Sequence, residues 1–139
     1  MRLAPAAEFA VRGILVLADR YGQGPVSIDT ICASRDLAKQ YLTKIFAALA
    51  KANLIVPMRG AHGGYVLARP PDQVSVLEVI EVIEGPLCMN FCQNEVPQCE
   101  REECLLRPVW ADIQSFVRDR LSSVKLSDCL ARDTVKAAP

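Results

Sequence analysis

The sequence predicts a mainly α-helical fold with one small β-hairpin. Five segments place apolar residues at helical spacing, and two short aliphatic segments flank a glycine-rich loop. At 139 residues the chain has the length of one ordinary domain, with room for one extra helix beyond its core. We therefore expect one compact unit in which several helices surround a single hairpin.

The first helix is predicted between Glu8 and Tyr21, and a shorter one follows it. The apolar face of the first helix consists of Ile14, Leu17, Ala18 and Tyr21. The segment 22–25, which contains glycine and proline, ends it, and Ser27 is then a suitable N-cap for the second helix. Within that second helix we expect Cys32 to be a small packed residue.

The third helix combines an apolar stripe with a polar leading end. The stripe, spaced i, i+3, i+4 and i+7, consists of Leu42, Ile45, Phe46 and Leu49. The polar end presents Lys39, Gln40, Tyr41, Thr43 and Lys44. A short helix, a tight turn and a second helix with such an end form the arrangement that enters a DNA major groove, where amides and hydroxyls read base edges and lysines neutralise phosphates. An ordinary solvated helix face is the competing interpretation.

A β-hairpin is predicted directly after this helix. Residues 54–56 and 65–68 have the composition of strands, and the loop between them contains three glycines and the chain's only histidine. After a helix-turn-helix, such a hairpin is a wing, whose glycines let the backbone approach phosphates and whose arginine can enter a minor groove. The expected DNA contacts are Arg59, Gly60, His62 and Gly63. A phosphate-binding loop is disfavoured because neither a following helix nor a Gly-Lys-Ser/Thr sequence is present.

A fourth helix is predicted from its start signal. Ser75 and Glu78 have the spacing of a capping box, and Gly85 with Pro86 ends the helix. The apolar face consists of Val76, Val79, Ile80 and Ile83. Glu78, Glu81 and Glu84 are predicted to face outward, and we expect Glu78 and Glu81 to be solvated rather than catalytic. Because no acid–base partner accompanies them, the sequence does not predict an enzyme.

The longest helix is predicted after the last loop, at residues 105–126. Its apolar seam, with spacings of 4, 3, 4, 4 and 3 residues, consists of Leu106, Trp110, Ile113, Val117, Leu121 and Val124. A seam this regular needs a second apolar surface, so we predict a symmetric homodimer through this helix. Ser127 is expected to cap only a short final turn, and the tail from Asp133 is expected to fray.

The net charge of zero conceals an asymmetry between the two halves of the chain. Residues 1–70 contain nine Lys and Arg against four Asp and Glu, which gives +5. Residues 71–139 contain seven against twelve, which gives −5. A basic half joined to an acidic half indicates that one half binds a polyanion, with scattered surface charge as the alternative.

The segment 86–104, hereafter the cysteine loop, holds four of the six cysteines: Cys88, Cys92, Cys99 and Cys104. So many thiols in one loop form disulfides, bind a metal or cluster, or act as redox thiols. No apolar run is long enough for a membrane span, and the N-terminus lacks a signal-peptide core, so we expect a cytoplasmic protein with no membrane partner. In that reducing compartment metal binding or redox chemistry is favoured over structural disulfides.

With these elements in order, the chain resembles the bacterial iron-sulfur regulators typified by IscR and NsrR over essentially its whole length. The resemblance is carried by Met1-Arg2-Leu3, Gln40-Tyr41-Leu42, Arg59-Gly60, Gly63-Gly64-Tyr65, and Cys92, Cys99 and Cys104 followed by Trp110. It implies a homodimeric repressor or activator that binds a double-stranded DNA operator. It also implies a 4Fe-4S or 2Fe-2S cluster in each subunit, near the partner's N-terminal helix, that senses nitric oxide, redox state or iron supply.

The residues of the loop agree with this implication. Three thiolates, from Cys92, Cys99 and Cys104, can wrap one soft iron-sulfur centre, whereas zinc ribbons and knuckles use close C-x-x-C pairs that are absent here. A fourth ligand is required. Members similar to IscR have a histidine three residues after the last cysteine, where this chain has Arg107, which cannot coordinate.

Two residues are candidates for the fourth ligand. Glu8 occupies the place where members similar to NsrR use an acid supplied across the dimer, and Cys88 is an extra thiol close to Cys92. A carboxylate is a hard ligand on a soft centre and should leave readily, which suits a sensor. Ligation by Cys88 predicts a more robust centre. We favour Glu8 and keep Cys88 as the alternative.

Other functions and a division of the chain complete the prediction. A DNA-binding regulator switched by thiol–disulfide chemistry without a cluster is the nearest alternative. A small zinc or thiol redox protein is a distant one, because it leaves the wing unexplained.

We divide the chain into a winged helix-turn-helix region, 1–71, and a second region, 72–139, both within one compact unit. The second region contains the capped helix, the cysteine loop (86–104) and the dimerisation helix (105–126).

Overall fold

Helices surround one small antiparallel hairpin in the part of the chain that the computed structural model describes, residues 3–94 and 103–137. The helices are α1 (Pro5–Asp19), α2 (Ile28–Arg35), α3 (Lys39–Lys51), α4 (Val76–Glu84), α5 (Arg107–Ser123) and α6 (Leu126–Ala137), and the strands are β1 (Ile55–Met58) and β2 (Gly64–Leu67). Short 3-10 turns lie at Pro71–Gln73 and Phe91–Gln93. The predicted mainly α fold with one hairpin is confirmed. Within the described residues, no helix combines the length and apolar character needed to cross a membrane.

The core forms around α1, which packs against α2, α3, α4, α6 and β2. Its approach to α3 is so close that a Cβ at Gly13 would lie 2.9 Å from Cε1 of Phe46. The helix ends at Asp19, and Gly22 in the following turn has a φ of 80°. Tyr21 therefore lies beyond the helix and is 45% exposed, so its prediction as part of the buried face was wrong.

The second and third helices form the predicted helix-turn-helix. Ser27 Oγ accepts a hydrogen bond from the Thr30 backbone N–H at 3.2 Å, which confirms the N-cap of α2. The buried residues of α3 are the four predicted from spacing: Leu42, Ile45, Phe46 and Leu49. Cys32 is half-buried, and burial, followed by the charge of Asp29, raises the pKa of its thiol, as expected for a packed cysteine.

The strands of the hairpin lie closer to its tip than predicted, and the hairpin is joined to the helices. Pairing continues to Met58 opposite Gly64, so residues 57, 58 and 64 belong to strands rather than to the loop, whereas Leu54 and Ala68 lie just outside the strands. Tyr65 exchanges backbone hydrogen bonds with Val26 at 3.0 and 2.9 Å. A Cβ at Gly64 would lie 2.2 Å from the Val26 carbonyl oxygen, so this contact requires glycine. The hairpin is thereby fixed to the start of the helix-turn-helix.

The predicted capping box begins α4. Ser75 Oγ accepts from the Glu78 N–H at 3.2 Å, and Glu78 Oε2 accepts from the Ser75 N–H at 2.8 Å. Arg69 donates to Glu78 Oε1 at 2.7 Å. Burial acts to raise the pKa of Glu78, but the hydrogen bonds from Arg69 and Ser75 outweigh it and hold that pKa below its usual value.

The two acids of α4 that were expected to be solvated, Glu78 and Glu81, have structural contacts. Glu78 belongs to the capping box, and Glu81 pairs with Arg118 of α5 and accepts from the Leu87 N–H at 2.9 Å. The solvated environment predicted for these two acids was therefore wrong. Glu84 is exposed, in agreement with its predicted outward position, and accepts from the Ala4 N–H at 2.7 Å.

The C-terminal segment returns to the core instead of fraying. Val124 is extended, and two backbone hydrogen bonds join its segment to the start of α4. The Val76 N–H donates to the Val124 carbonyl, and the Leu126 N–H donates to the Val74 carbonyl, each at 3.0 Å. Leu126 is fully buried and starts α6, which packs against α1. The expected short turn with a fraying tail is therefore wrong. Val124 was predicted as part of the seam of the long helix, but it lies beyond the end of α5 at Ser123.

The predicted seam of α5 divides into two faces. Trp110, Val117 and Leu121 are half-buried, on the side where Arg118 contacts α4. The other face is exposed and consists of Leu106, just before the helix, with Val109, Ile113 and Phe116, which are 58, 48, 38 and 73% exposed. Their spacing of 3, 4 and 3 residues forms one outward apolar stripe, hereafter the α5 stripe.

Replacing Ser75 with alanine is expected to lower the free energy of unfolding by about 1–2 kcal/mol, because a buried N-cap is lost. Ser75 is 3% exposed and caps α4. Ser123→Ala is the matched control, since the Ser123 hydroxyl is exposed and donates within its own helix. Its effect should stay within about 0.5 kcal/mol. Urea unfolding at one fixed protein concentration measures both, and equal losses would contradict the capping role.

Candidate DNA-binding surface and cysteine loop

The polar end of α3 forms one open surface. A concavity of about 590 Å³ is lined by Lys39, Gln40, Tyr41, Thr43 and Lys44, hereafter the recognition surface. All five residues are exposed. The five residues selected from sequence for contact with bases and phosphates therefore lie together at the N-terminal end of one helix, where a groove-reading helix presents its side chains.

Two members of the recognition surface are held by neighbouring groups. Thr43 Oγ1 donates to the Lys39 carbonyl at 2.8 Å, so its lone pairs remain available as acceptors. The Tyr41 ring meets the Phe9 ring edge-on, with centroids 5.3 Å apart. Tyr41 nevertheless stays 37% exposed. The phenol is thus oriented by α1.

Lys39 has a partner on α2. Its Nζ lies 2.7 Å from Oδ1 of Asp29, in the first turn of that helix. The hydrogen bond to Asp29 and the negative charge of that carboxylate raise the pKa of Lys39. Lys39 is therefore positively charged at neutral pH and already paired with an acid.

The predicted wing contacts lie at the tip of the hairpin. Arg59, Gly60 and His62 are exposed, and Gly63 is half-buried. The Gly63 N–H donates to the Gly60 carbonyl at 3.0 Å, and Gly60 has a φ of 118°. One residue pair before the loop, the Tyr65 ring packs edge-on against Phe46 of α3, with centroids 5.0 Å apart. The wing is therefore anchored to the helix that carries the recognition surface.

The first half of the cysteine loop packs against α5, next to the segment that carries Cys104. Gln93 Nε2 donates to the Arg107 carbonyl at 3.3 Å, and the Met89 N–H donates to Gln114 Oε1 at 2.9 Å. Cys92 precedes Gln93 and lies 3.7 Å from its Nε2, while the Cys104 carbonyl accepts from the Arg107 N–H at 3.2 Å. The segments that carry Cys92 and Cys104 are thus joined by Gln93. Cys99 lies outside the described residues.

The described donors alone form no metal site: within residues 3–94 and 103–137, no three His, Cys, Asp or Glu side chains are grouped to hold an ion. Cys92 and Cys104 are half-buried and form no disulfide with each other or with Cys88. Cys92 and Cys104 lie on segments joined by one hydrogen bond, and with Cys99 from the sequence between them they supply three thiols, the donor chemistry of an iron-sulfur centre. Arg107, in the place of a possible histidine ligand, begins α5.

Cys88 has a different environment. Its thiol donates to the Asn90 carbonyl at 2.8 Å. It lines a cavity of about 330 Å³ with Leu3 near the N-terminus and Glu84 at the end of α4. Cys88 is therefore held by its own turn and faces the N-terminal segment.

Glu8 lies on an exposed part of α1 and is linked to the helix-turn-helix. Its side chain is 65% exposed, and its Oε1 lies 3.9 Å from Nη1 of Arg12. Arg12 Nη2 donates to the carbonyl of Arg35, the last residue of α2, at 2.6 Å. The Arg12 guanidinium also lies 6.0 Å from the centroid of the Phe9 ring. The Arg12 guanidinium thus lies between the Glu8 carboxylate and the C-terminal end of α2 and contacts both.

Sequence reasoning missed four residues of this region: Arg12, Asp29, Gln93 and Gln114. The spacing of Glu8 and Arg12, four residues apart on a helix, is a signal for an ion pair. No comparable signal exists for Gln93 with Arg107 or for Asp29 with Lys39. These pairs depend on how separate segments pack.

Comparisons with known proteins agree with this geometry. The family model Rrf2, described as an iron-dependent transcriptional regulator, matches residues 3–132. The HTH-type transcriptional regulator CymR of Bacillus subtilis is 32% identical over 92% of this chain and 88% of its own length.

Two solved structures are similar throughout. The structure of B. subtilis CymR, titled as the global cysteine regulator, has a TM-score of 0.82 at 31% identity and covers 95% of this chain and 98% of its own. That of T. potens IscR has a TM-score of 0.81 at 29% identity and covers 100% and 92%. The chain therefore has the same fold as CymR and IscR and is about equally similar to both.

Proposed function

The chain belongs to the Rrf2 family of DNA-binding transcriptional regulators, and on this premise we propose that a bound iron-sulfur cluster controls its affinity for a double-stranded DNA operator. Its relatives are named as regulators and not as enzymes. In this proposal residues 1–71 read DNA, residues 72–139 carry the regulatory site and the dimer contact, and the protein acts in the cytoplasm.

DNA reading is assigned to the recognition surface and the wing. Gln40 and Thr43 supply the amide and hydroxyl groups that distinguish base edges, while Lys39 and Lys44 neutralise phosphates. Arg59 at the hairpin tip reaches the adjacent minor groove, and Gly60, His62 and Gly63 lie along the backbone. The contact of Tyr65 with Phe46 keeps both parts in one orientation.

The observation that supports a cluster is the Gln93–Arg107 hydrogen bond, which joins the segment that carries Cys92 to the segment that follows Cys104. Cys92, Cys99 and Cys104 would hold the group, with Glu8 of the partner subunit as the fourth ligand and Cys88 as the alternative. When bound, the group supplies a redox-active centre sensitive to nitric oxide, oxygen and iron supply. The exposed side chain of Glu8 supports its donation to a partner, and the thiol of Cys88 is already held by Asn90.

The Glu8–Arg12 contact provides a route from the regulatory site to the DNA-reading helices. Arg12 holds the C-terminal carbonyl of α2, where a cation is favourable. If Glu8 served as a ligand, its carboxylate would no longer be available to Arg12. The Arg12 guanidinium would then bind the Arg35 carbonyl at the end of α2 without a competing acid.

A thiol switch without a cluster is the second candidate. The chain is as similar to CymR as to IscR, with TM-scores of 0.82 and 0.81. The described thiols of the loop, Cys88, Cys92 and Cys104, are half-buried and form no disulfide among themselves. Oxidation of two loop thiols to a disulfide would constrain the same segment that the cluster is proposed to hold.

The partner subunit is assigned to the α5 stripe. Four large apolar side chains at coiled-coil spacing face outward, and the half-buried opposite side of α5 already contacts α4. A second copy of the same stripe is self-complementary under two-fold symmetry. We therefore infer a homodimer through α5.

Lys44→Gln is expected to weaken binding to duplexes of every sequence by a similar factor, because one phosphate contact is lost. The slope of log K against log salt concentration, hereafter the salt slope, should fall in magnitude by about 0.9. Gln40→Ala should instead cost about 1–3 kcal/mol on the preferred sequence only. The operator is first selected from a random duplex pool, and binding is measured by fluorescence anisotropy. Arg132→Gln, an exposed charge change on α6, is the control. Identical behaviour of all three variants would contradict the assignment of the recognition surface.

Glu8→Ala is expected to change both visible absorbance and operator affinity when the protein is purified without oxygen, whereas Cys88→Ala should change neither. Iron and sulfide are counted per subunit, and Cys129→Ala serves as a cysteine control outside the loop. The reverse result would make Cys88 the fourth ligand. A colourless, iron-free protein regulated by peroxide would favour the thiol switch. If neither cluster removal nor triple replacement of Cys92, Cys99 and Cys104 alters DNA binding, the sensing proposal is wrong.

Phe116→Asp is expected to convert a dimer to a monomer, because it places a charge in the centre of an apolar contact. Phe91→Asp is the matched control, since Phe91 is 69% exposed but lies off α5. Sedimentation velocity at micromolar concentration distinguishes the species. A monomeric wild-type protein would rule out the dimer.

A further inference from the structure

An acidic residue is paired with the first lysine of the recognition surface. Asp29 lies in the first turn of α2, Lys39 is the first residue of α3, and their charged atoms are 2.7 Å apart. Both side chains are open to solvent, at 71 and 59% exposure. The pair therefore lies on the side of the helix-turn-helix that would approach DNA.

This pairing opposes the function assigned to Lys39. A lysine that neutralises a phosphate must share its ammonium group with that phosphate or leave its present partner. The Asp29 carboxylate would also lie close to the incoming polyanion and repel it. Residues 1–70 contain only four acids, so each one matters for the charge of this half.

We propose that Asp29 is an affinity-tuning residue, which weakens binding to duplex DNA of every sequence by competing with phosphate for Lys39. The inference rests on the proposed DNA-binding role of the recognition surface and is independent of the cluster. Because the effect acts through a phosphate contact, it lowers sequence-independent affinity and shortens the time spent on non-operator DNA.

Asp29 has a second role that the test must separate. An acid in the first turn of a helix is stabilised by the helix dipole, so Asp29 also supports α2. A loss of that support would appear in thermal unfolding and would not depend on Lys39. A pair that held Lys39 in position for a phosphate would have the opposite effect on binding, which the same test detects.

The experiment is a double-mutant cycle on the full chain, with all proteins prepared identically. Asp29→Asn, Lys39→Gln and the double variant are compared with wild type on a short mixed-sequence duplex, across a salt series, by fluorescence anisotropy. Asp19→Asn is the charge-matched control, because it removes another exposed acid of the same half at the end of α1. Unfolding temperatures are recorded for each protein.

Asp29→Asn is expected to tighten non-operator binding by about two- to fivefold, the equivalent of one exposed ion pair, and to steepen the salt slope by up to about one. The gain should be smaller in the Lys39→Gln background, where only the direct repulsion between the carboxylate and DNA is removed, and it should be absent in Asp19→Asn. Unchanged or weaker binding of Asp29→Asn, or an equal gain in either comparison protein, would overturn the proposal. A wild-type protein that binds no duplex would instead refute the DNA-reading role itself.

Discussion

The contact between α1 and α3 at Gly13 is the constraint on which the rest of the molecule depends. A side chain at this position would meet the Phe46 ring, so glycine sets the distance between the two helices. Phe46 in turn packs against Tyr65 of the hairpin. One aromatic ring therefore fixes α1, the recognition helix and the wing relative to one another, which is what a rigid DNA-reading surface requires.

The second half of the chain is built into the same core. Val74, Val79 and Leu126 belong to the apolar cluster that contains Phe46 and Ile14. The backbone bridge between residues 74–76 and 124–126 closes the end of α5 onto the start of α4. The cysteine loop therefore connects α4, which packs against α1, with α5, which packs against α4.

Charged groups modulate this scaffold at the places where function is proposed. Arg12 connects Glu8 with the end of α2, and Asp29 occupies Lys39 at the start of α3. Both pairs are partly solvated, so each is weak enough to be exchanged for a ligand or a phosphate. Weak pairs at the ends of helices suit a regulator, because small changes in free energy can then alter its DNA affinity.

The sequence by itself determined the fold class, five of the helices and the N-caps of α2 and α4, and the tertiary structure decided the pairings. Helical spacing identified all four buried residues of α3, and local capping chemistry identified Ser27 and Ser75, because these signals act within one turn. Sequence also selected the five residues that line the recognition surface. The sequence did not predict the end of α1 before Tyr21, the helix α6 or the pairing of Glu81 with Arg118. These features depend on packing between segments that are distant in sequence. The ligand assignments for Cys92, Cys99, Cys104 and Glu8 remain predictions. The Gln93–Arg107 and Asp29–Lys39 contacts became visible only in the folded chain, because they join residues whose proximity no local pattern encodes.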